Sequence, residues 1–288
     1  MTRVVVCGPA SWNHLIALDR LPEPTPHMQF AEGSVHTVGG TSAGKALHLA
    51  ALGVATELHA LVGDDADGRL IRDVIVDCGV DLHAHGSETT ERHVNLMAGA
   101  GERVSLYVST PSRADAAAIV SIEASLHGAA VAVIDLSELG ATLIERRAAA
   151  RWAAPVWVDL HDYDGVSDFH EPFVLAADVV FMNDDRTDDP WALMAACLRR
   201  GPRIAVCTRG PRGAIALDAA GRRFETAAVP TTVVDTNGAG DAFAAGFLRV
   251  FLGGSDLDAC LSGGVTQAAV ALATGHLHPL VEQALARR

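Results

Sequence analysis

Short apolar runs alternate with helix-forming segments along most of the chain, and this alternation limits the possible folds more than any other feature. The runs RVVVCG, AAVAVIDL, APVWVDL, ADVVFMN and RIAVCTRG have the length and composition of buried strands. Segments between such runs place apolar residues at helical spacing, as in SAGKALHLAALG, residues 42–53. Alternating elements of this kind build a mostly parallel sheet with helices on both faces. The sequence therefore predicts an α/β protein.

Two extended segments interrupt this alternation. RHVNLMAGAGERVSLYVS, residues 92–109, has two strand-like runs around Gly99-Ala100-Gly101-Glu102, which predicts a β-hairpin. An earlier region, about residues 13–38, is also extended and contains three prolines between residues 22 and 26. We assign both regions to a small β appendage. No repeat or linker divides the chain, and 288 residues suit one domain, residues 1–288, that includes this appendage.

Composition excludes several classes of partner. The chain has 22 basic and 35 acidic residues, a net charge of −13 and no block of Lys or Arg, so nucleic acids and anionic membranes are not expected partners. The five cysteines form no C-x-x-C pair, which favours buried thiols in a reducing compartment. Residues 259–281 lack charged side chains but contain Gly and Pro, so they predict a buried helix and a loop rather than a membrane span. We expect a soluble cytoplasmic protein.

The stretch VVDTNGAGDAFAAGF, residues 233–247, combines an apolar run, small residues, an Asp and a helical pattern. We interpret TTVVD as the end of a strand. Gly238, Ala239 and Gly240 leave backbone N–H groups free at a helix N-terminus, which favours an anion. Asp241 is then either a plain N-cap or a base that accepts a proton while the amides stabilise a phosphoryl group in transfer. Local spacing leaves both interpretations open.

The motif in this stretch and several others along the chain resemble those of a known family. DTNGAGDAFAAGFL is similar to the D-T-x-G-A-G-D signature of the ribokinase-like (PfkB) carbohydrate kinases. Four further segments resemble that family's motifs in the same order: VVVCGPASWN its first strand and substrate turn, VGGTSAGKALHLAALG its Gly-Gly motif, LVGDDADGRLIRDVIVDCGV its next strand–helix block, and CTRGPRGA its T-x-G-x-x-G nucleotide loop. The resemblance covers nearly the whole chain.

The resemblance implies a three-layer α/β/α domain whose cleft is covered by a β-sheet lid, formed here by residues 13–38 and 92–109. It implies ATP as donor, Mg²⁺ as cofactor, and a primary hydroxyl of a sugar or related polyol as acceptor. By position, Asp241 would be the general base. The other residues carried over are the anion hole Gly238, Ala239 and Gly240, the ATP-binding residues Thr208, Gly210, Gly213 and Asn183, and the substrate-binding residues Asn13, Gly39, Gly40 and Gly44.

The resemblance also implies a monovalent cation site and a mode of association. Asp235 and the segment near Gly275 would shape the cation site, which makes activation by K⁺ a hypothesis. The exposed edge of the β lid would pair in a homodimer.

Three departures from the family pattern affect the predicted substrate and metal. Asn13 stands where the family has Asp; it can still bind a polyol, but we expect a different preferred acceptor. Gly44 stands where the family has Asn, so we expect room for a bulkier acceptor. Arg186 replaces the Glu of the N-x-x-E motif that helps to hold the magnesium waters. Asp184, Asp185 or Asp188 could take over this role, and we assign Asp184 to bind Mg²⁺ through water. Alternatively, Arg186 meets a phosphate directly. A nucleoside kinase and a non-catalytic nucleotide or sugar sensor therefore stay as alternatives.

Other candidate sites were weighed against these motifs. Asp159, His161 and Asp162 could form a metal cluster, but a place on the nucleotide or phosphate side of the cleft is favoured. Lys45 follows Gly44, yet GGTSAGKA does not match a P-loop because Ala follows the Lys. No G-x-G-x-x-G follows the first strand, which argues against a nicotinamide dehydrogenase.

Overall fold

A nine-stranded sheet forms the middle layer of the computed structural model, which describes residues 2–99 and 102–288. The strands, in chain order, are β1 Arg3–Cys7, β2 Ser11–Leu18, β3 Gly33–Gly39, β4 Ala55–Gly63, β5 Asp81–Ser87, β6 Glu91–Ala98, β7 Arg103–Ser109, β8 Val131–Ile134, β9 Val156–Asp159, β10 Val179–Asn183, β11 Ile204–Thr208, β12 Ala214–Asp218 and β13 Arg223–Thr226. The helices are α1 Thr41–Ala51, α2 Ala66–Asp77, α3 Ala116–His127, α4 Glu138–Ala150, α5 Glu171–Ala176, α6 Pro190–Leu198, α7 Ala239–Phe251, α8 Leu257–Leu272 and α9 Pro279–Ala286, with a 3-10 turn at Gly210–Arg212.

The large sheet has the order β13-β12-β11-β10-β9-β8-β1-β4-β5. All pairs from β5 to β11 are parallel, and β12 and β13 add antiparallel at one edge. This confirms the predicted mostly parallel sheet. Because the parallel strands run in one direction, their carboxyl ends share one edge of the sheet, where ligands bind in folds of this type.

Two hydrophobic cores lie on opposite faces of this sheet. Val4 and Val6 belong to the core that includes α1, α2, α7, α8 and α9, whereas Val5 belongs to the core that includes α3 to α6. Successive side chains of a strand point to opposite faces, so a strand buried on both sides has a continuous apolar sequence. The three-layer α/β/α prediction is confirmed.

The four remaining strands form a separate small sheet with the order β3-β2-β6-β7. β2 pairs antiparallel with β3, β6 pairs antiparallel with β7, and β2 and β6 run parallel. The predicted hairpin is therefore present, although Ala100 and Gly101 of its predicted turn lie outside the described residues. The proline-containing segment connects β2 to β3 without regular structure. The strands occupy the two predicted regions, and the role of this sheet as a lid stays a prediction.

One local prediction was wrong. TTVVD, residues 231–235, is not a strand: the side chains of Val233 and Val234 are mostly exposed, and no neighbouring strand pairs with them among the described residues. β-branched residues favour a strand only where a partner strand is available. The charge-free segment forms α8 followed by a loop, as predicted, and this loop leads into α9, Pro279–Ala286, which was not predicted. No helix in the described part of the chain combines the length and apolar character of a membrane span.

Candidate active site

The first turn of α7 carries the Gly-Ala-Gly-Asp motif and starts at a glycine that cannot be replaced without strain. Gly238 is the N-cap, with φ of 79°, and a Cβ atom there would lie 2.8 Å from Leu277 Cδ2. No side chain among the described residues caps this helix. The N–H of Ala239 donates a long hydrogen bond to the Thr236 carbonyl oxygen at 3.4 Å, whereas the N–H of Gly240 has no partner in the described part of the chain and keeps its hydrogen-bonding capacity for a ligand. The local chain therefore presents an anion-binding N-terminus.

Asp241 does not cap the helix, so the N-cap interpretation is wrong. Its side chain is buried and accepts a hydrogen bond from Lys45 Nζ at 2.6 Å. Lys45 also lies 3.0 Å from Asp135 Oδ1 and 3.3 Å from Asp159 Oδ2. Asp159 ends β9, Asp135 comes directly after β8, and Lys45 belongs to α1, so strand ends and two helices bring one ammonium and three carboxylates together. All four side chains are at most 9% exposed.

These buried charges set one another's protonation. Burial lowers the pKa of Lys45, but the carboxylates of Asp135, Asp241 and Asp159 outweigh it and raise this pKa well above its usual value. Burial raises the pKa of Asp241 to about 6; Lys45 opposes the rise, and Asp159 and Asp135 add to it. Burial would also raise the pKa of Asp159, but His161 and Lys45 lower it to about 2. Of the two carboxyl groups with shifted pKa values, Asp241 is the one poised to exchange a proton near neutral pH.

Two cavities meet the N-terminus of α7 from different sides. One has a volume of about 520 Å³, and the predicted site residues among its lining are Asn183, Asp184, Thr208, Gly210, Gly213, Ala239 and Gly240. The other has a volume of about 320 Å³, and its lining includes Asn13, Gly40 and Asp241, together with Asn95, Arg103 and Ser105 of the small sheet. We call the first the donor-side cavity, after the predicted phosphoryl donor ATP, and the second the acceptor-side cavity, after the predicted phosphoryl acceptor. A larger cavity of about 900 Å³ lies away from both, and its described lining contains none of the predicted site residues.

Two predicted substrate glycines make room for protein side chains instead of lining the acceptor-side cavity. A Cβ atom on Gly39 would lie 2.1 Å from Asn13 Nδ2. The Asn13 side chain is buried, and its Oδ1 accepts a hydrogen bond from the Ser11 hydroxyl. A Cβ atom on Gly44 would lie 2.9 Å from Asp241 Oδ2. The expectation that Gly44 leaves space for a bulkier acceptor was therefore wrong, because the carboxylate of Asp241 occupies that space.

The predicted magnesium region has an oxygen-rich wall. Asn183 Oδ1 accepts a hydrogen bond from the Asp185 N–H at 3.0 Å, and Asp184 pairs with Arg212. Carboxylate and amide oxygens are the ligands that Mg²⁺ prefers, so these residues fit that ion. Arg186, the departure from N-x-x-E, lies 3.6 Å from Asp162, a residue of the acceptor-side lining.

Two further predicted cation ligands have protein partners. The carboxylate of Asp235 accepts the N–H of Asn237 at 2.9 Å. Asp159 is occupied by Lys45, which removes it from a metal cluster with its neighbours. His161 and Asp162 line the acceptor-side cavity rather than the predicted nucleotide side.

Sequence reasoning considered Lys45 only as a P-loop lysine and assigned no site role to Lys45, Asp135 or Arg103. One signal could have found the first, since Lys45 is the only lysine among 288 residues and every other side-chain cation, histidines apart, is an arginine. Asp135 comes directly after β8. A polar residue at the carboxyl end of a predicted parallel strand is a candidate site residue, so this position could have identified it. Arg103 had no comparable signal, because its strand was predicted only as part of a hairpin.

Comparison with known proteins gives consistent matches over the whole chain. The model of the pfkB family carbohydrate kinases matches residues 1–279. The chain is 31% identical over 287 residues to the acarbose 7(IV)-phosphotransferase of Actinoplanes sp., covering 94% of this chain and 92% of that protein. It is 26% identical over 268 residues to a nucleoside kinase of Methanothermobacter thermautotrophicus, covering 89% and 85%. The solved structure of a microbiome-derived acarbose kinase, Mak1, superposes with a TM-score of 0.82 at 29% identity, over 99% of both chains.

Proposed function

The chain belongs to the pfkB family of carbohydrate kinases and is an ATP-dependent carbohydrate kinase, and we propose that it phosphorylates a primary hydroxyl group of a sugar or related polyol. One observation carries this proposal. Asp241 lines the acceptor-side cavity, while Ala239 and Gly240, in the same helical turn, line the donor-side cavity. A proton acceptor and an anion-binding N-terminus therefore lie between two binding spaces, which is the arrangement that phosphoryl transfer needs.

In the proposed reaction, Asp241 accepts the proton of the acceptor hydroxyl as its oxygen attacks the γ-phosphorus of ATP. The bond from that phosphorus to the bridging oxygen breaks, and ADP leaves with the electron pair. The amides at the start of α7, from Gly238, Ala239 and Gly240, stabilise the charge on the phosphoryl oxygens in the transition state. Lys45 holds the Asp241 carboxylate in place through its 2.6 Å contact.

The donor-side cavity supplies the proposed nucleotide contacts. Thr208, Gly210 and Gly213 come from β11 and the turn that follows it, and Asn183 ends the neighbouring strand. Asp184 would hold Mg²⁺ through water, and the ion, when bound, would neutralise charge on the phosphates. Asp235 remains the proposed ligand of a monovalent cation. Equal rates in sodium, potassium and tetramethylammonium buffers would exclude that role.

The acceptor-side cavity favours a hydroxyl-rich ligand. Asn13, Asn95 and Ser105 offer neutral donors and acceptors, and Arg103 adds a cation. We propose that the small sheet, which supplies all four of these residues, acts as the lid of this cavity. A nucleoside is the second candidate acceptor, because Tyr107 and Phe169 also line the cavity and aromatic rings stack on bases.

The first experiment is ADP release from ATP and Mg²⁺ across pentoses, hexoses, sugar phosphates, nucleosides and acarbose. Asp241→Asn is the matched control, because it keeps the size of the side chain and removes its basicity. We expect acceptor-dependent ADP from the wild type and a loss of about 10²–10⁴-fold in turnover in the variant, with ATP binding retained. Near-normal turnover of the variant would contradict the proposed base. ATP binding without turnover on any acceptor would favour a non-catalytic sensor. That alternative is considered because Arg186 replaces the Glu of the N-x-x-E motif.

We also propose that the chain forms a homodimer through the small sheet. β7 is an edge strand of that sheet, and its residues Leu106 and Val108 are about half exposed or more. An exposed edge with apolar side chains favours strand pairing with a second chain. Light scattering should give twice the chain mass, and Leu106→Arg with Val108→Arg should return the mass to 30.1 kDa. A monomeric wild type at assay concentration would refute this interface.

The proposed cytoplasmic location rests on thiol chemistry. All five cysteines are buried and unpaired, as expected of a protein kept in a reducing compartment.

A further inference from the structure

A cluster of imidazoles and a carboxylate lies on the opposite face of the large sheet from α1 and α7. Glu57 and His59 are on β4, and His83 is on the neighbouring strand β5, directly beside His59 in the strand register. Residues 57 and 59 point to the same face because side chains alternate along a strand. That face is the one to which Leu61 contributes, in the core of α3 to α6. The cluster is therefore separate from the site around Asp241.

Three atoms of this cluster are buried without a hydrogen-bond partner in the described part of the chain. They are Glu57 Oε2, His59 Nε2 and His83 Nε2. His59 is 0% exposed, so water does not reach its imidazole from bulk solvent. Buried polar atoms in native proteins are rarely left unpaired, because desolvating them without compensation costs free energy. Three such atoms at one place leave hydrogen-bonding or coordinating capacity that a ligand could use.

The potential ligand atoms of the three residues lie close together. One such atom from each residue lies within 4.8 Å of the other two, and His59 Nε2 is 3.6 Å from Glu57 Oε2. That separation is too long for a hydrogen bond. It is close to the distance of about 3.4 Å between two ligand atoms that each lie about 2.0–2.1 Å from a tetrahedral zinc ion.

Neighbouring groups orient the two innermost ligands. Arg3 donates to the other carboxylate oxygen of Glu57, Oε1, which leaves Oε2 directed at the imidazoles. His59 Nδ1 lies 3.0 Å from His85 Nε2. When His59 donates its Nδ1–H to His85, the lone pair of its Nε2 is free for a metal. Metal-bound histidines almost always have such an outer partner on the second ring nitrogen.

We propose that Glu57, His59 and His83 bind a divalent transition-metal ion of the zinc class, with water from solvent as the fourth ligand. Asp81, whose Oδ1 lies 3.4 Å from His83 Nε2, is exposed and stays outside the three-residue cluster. Two imidazoles with a carboxylate suit Zn²⁺, whereas Mg²⁺ prefers oxygen ligands alone. The His83 side chain is 39% exposed and provides a route for the ion from solvent. Because β5 is the edge strand, the ion would fasten it to β4 and would have a structural role.

The test uses the full chain, free of any affinity tag and stripped of metal. Zinc is titrated in competition with a chromophoric chelator, and Co²⁺ is added separately because its visible absorption reports tetrahedral coordination. We expect one ion per chain, a tetrahedral Co²⁺ spectrum and a higher midpoint of thermal unfolding with zinc. His83→Gln and Glu57→Gln should weaken binding by more than the 10–100-fold that losing an outer partner costs. His127→Gln, on the exposed end of α3, is the matched control and should bind as the wild type does.

His83 is the main test position because it is partly exposed, so its substitution should preserve the fold, as circular dichroism would verify. Absence of stoichiometric zinc binding by the wild type would overturn the proposal. Binding by His83→Gln as tight as that of the wild type would also overturn it, because the ion would then be held elsewhere, for example by the acidic groups of the kinase site.

Discussion

Replacing Lys45 with Met should make the kinase dependent on a higher pH. Met has nearly the length of Lys and no charge, so the change removes the ammonium that lies 2.6 Å from Asp241 Oδ1. The lysine lowers the pKa of Asp241 against the effects of burial and of Asp159 and Asp135. Without it, burial and the carboxylates of Asp159 and Asp135 dominate, and all three raise the pKa of Asp241.

The size of the effect follows from the geometry. A neighbouring opposite charge at this range lowers a carboxyl pKa by about 1–3. The pKa of Asp241, about 6 in the wild type, should therefore rise to between about 7 and 9. For a pKa of about 8, the ionised fraction at pH 7 falls from about 0.9 to about 0.1, so turnover at pH 7 falls about tenfold. A base with a raised pKa is active above that pKa and protonated below it, so raising the pH should restore the rate.

The assay is the pH profile of kcat/KM for ADP release, which reports the ionisations of the free enzyme. The wild type should lose activity below about pH 6, and the variant should lose it one or more pH units higher. Arg69→Met removes an exposed cation on α2 and should leave the profile unchanged. An acid limb that stays near pH 6 in Lys45→Met would refute the reasoning, as would a rate that high pH does not restore in a folded variant.

Three further substitutions test other parts of the site. Gly44→Ala places a methyl group 2.9 Å from the carboxylate of Asp241, so kcat should fall while the KM for ATP is unchanged, by steady-state kinetics. Arg103→Ala removes a cation from the lining of the acceptor-side cavity, so the KM for the acceptor should rise more than kcat falls. An equal increase in the KM for ATP and the KM for the acceptor would contradict this. Gly213→Ala puts a Cβ 2.0 Å from the Thr226 carbonyl oxygen at φ of 84°, so the free energy of unfolding in urea should fall by about 1–3 kcal/mol or more; an unchanged urea midpoint would contradict this.

The sequence predicted the layers of the fold better than its local detail. Strands such as Val179–Asn183 are buried on both faces, so their apolar runs carry an unambiguous signal. Residues 231–235 have the same β-branched composition but no partner strand, and composition alone cannot report whether a partner exists. α9 was missed for a related reason, since a short helix that starts at a proline is weakly periodic.

The site was predictable where it depends on backbone and less so where it depends on distant side chains. The N-terminus of α7 follows from local small residues, and the structure gathers Gly240 with Thr208 and Gly213 around one cavity. The contact between Lys45 and Asp241 joins residues 196 positions apart, which no local pattern encodes. The close approach at Gly44 depends on the packing of α1 against α7, so only the structure could show what fills that space.

Replacing Asp135 should shift the pKa of Asp241 in the opposite direction to replacing Lys45. Its carboxylate raises the pKa of Asp241, and Asp135→Asn removes that charge while its amide oxygen can still accept the hydrogen bond from Ser42. The pKa of Asp241 should then fall, by about 1, so the ionised fraction at pH 5 rises from about 0.1 to about 0.5. Turnover at pH 5 relative to that at pH 8 should increase several-fold, whereas Lys45→Met decreases it. If both substitutions moved the acid limb of kcat/KM in the same direction, general damage to the site, rather than the charges around Asp241, would govern the pH dependence.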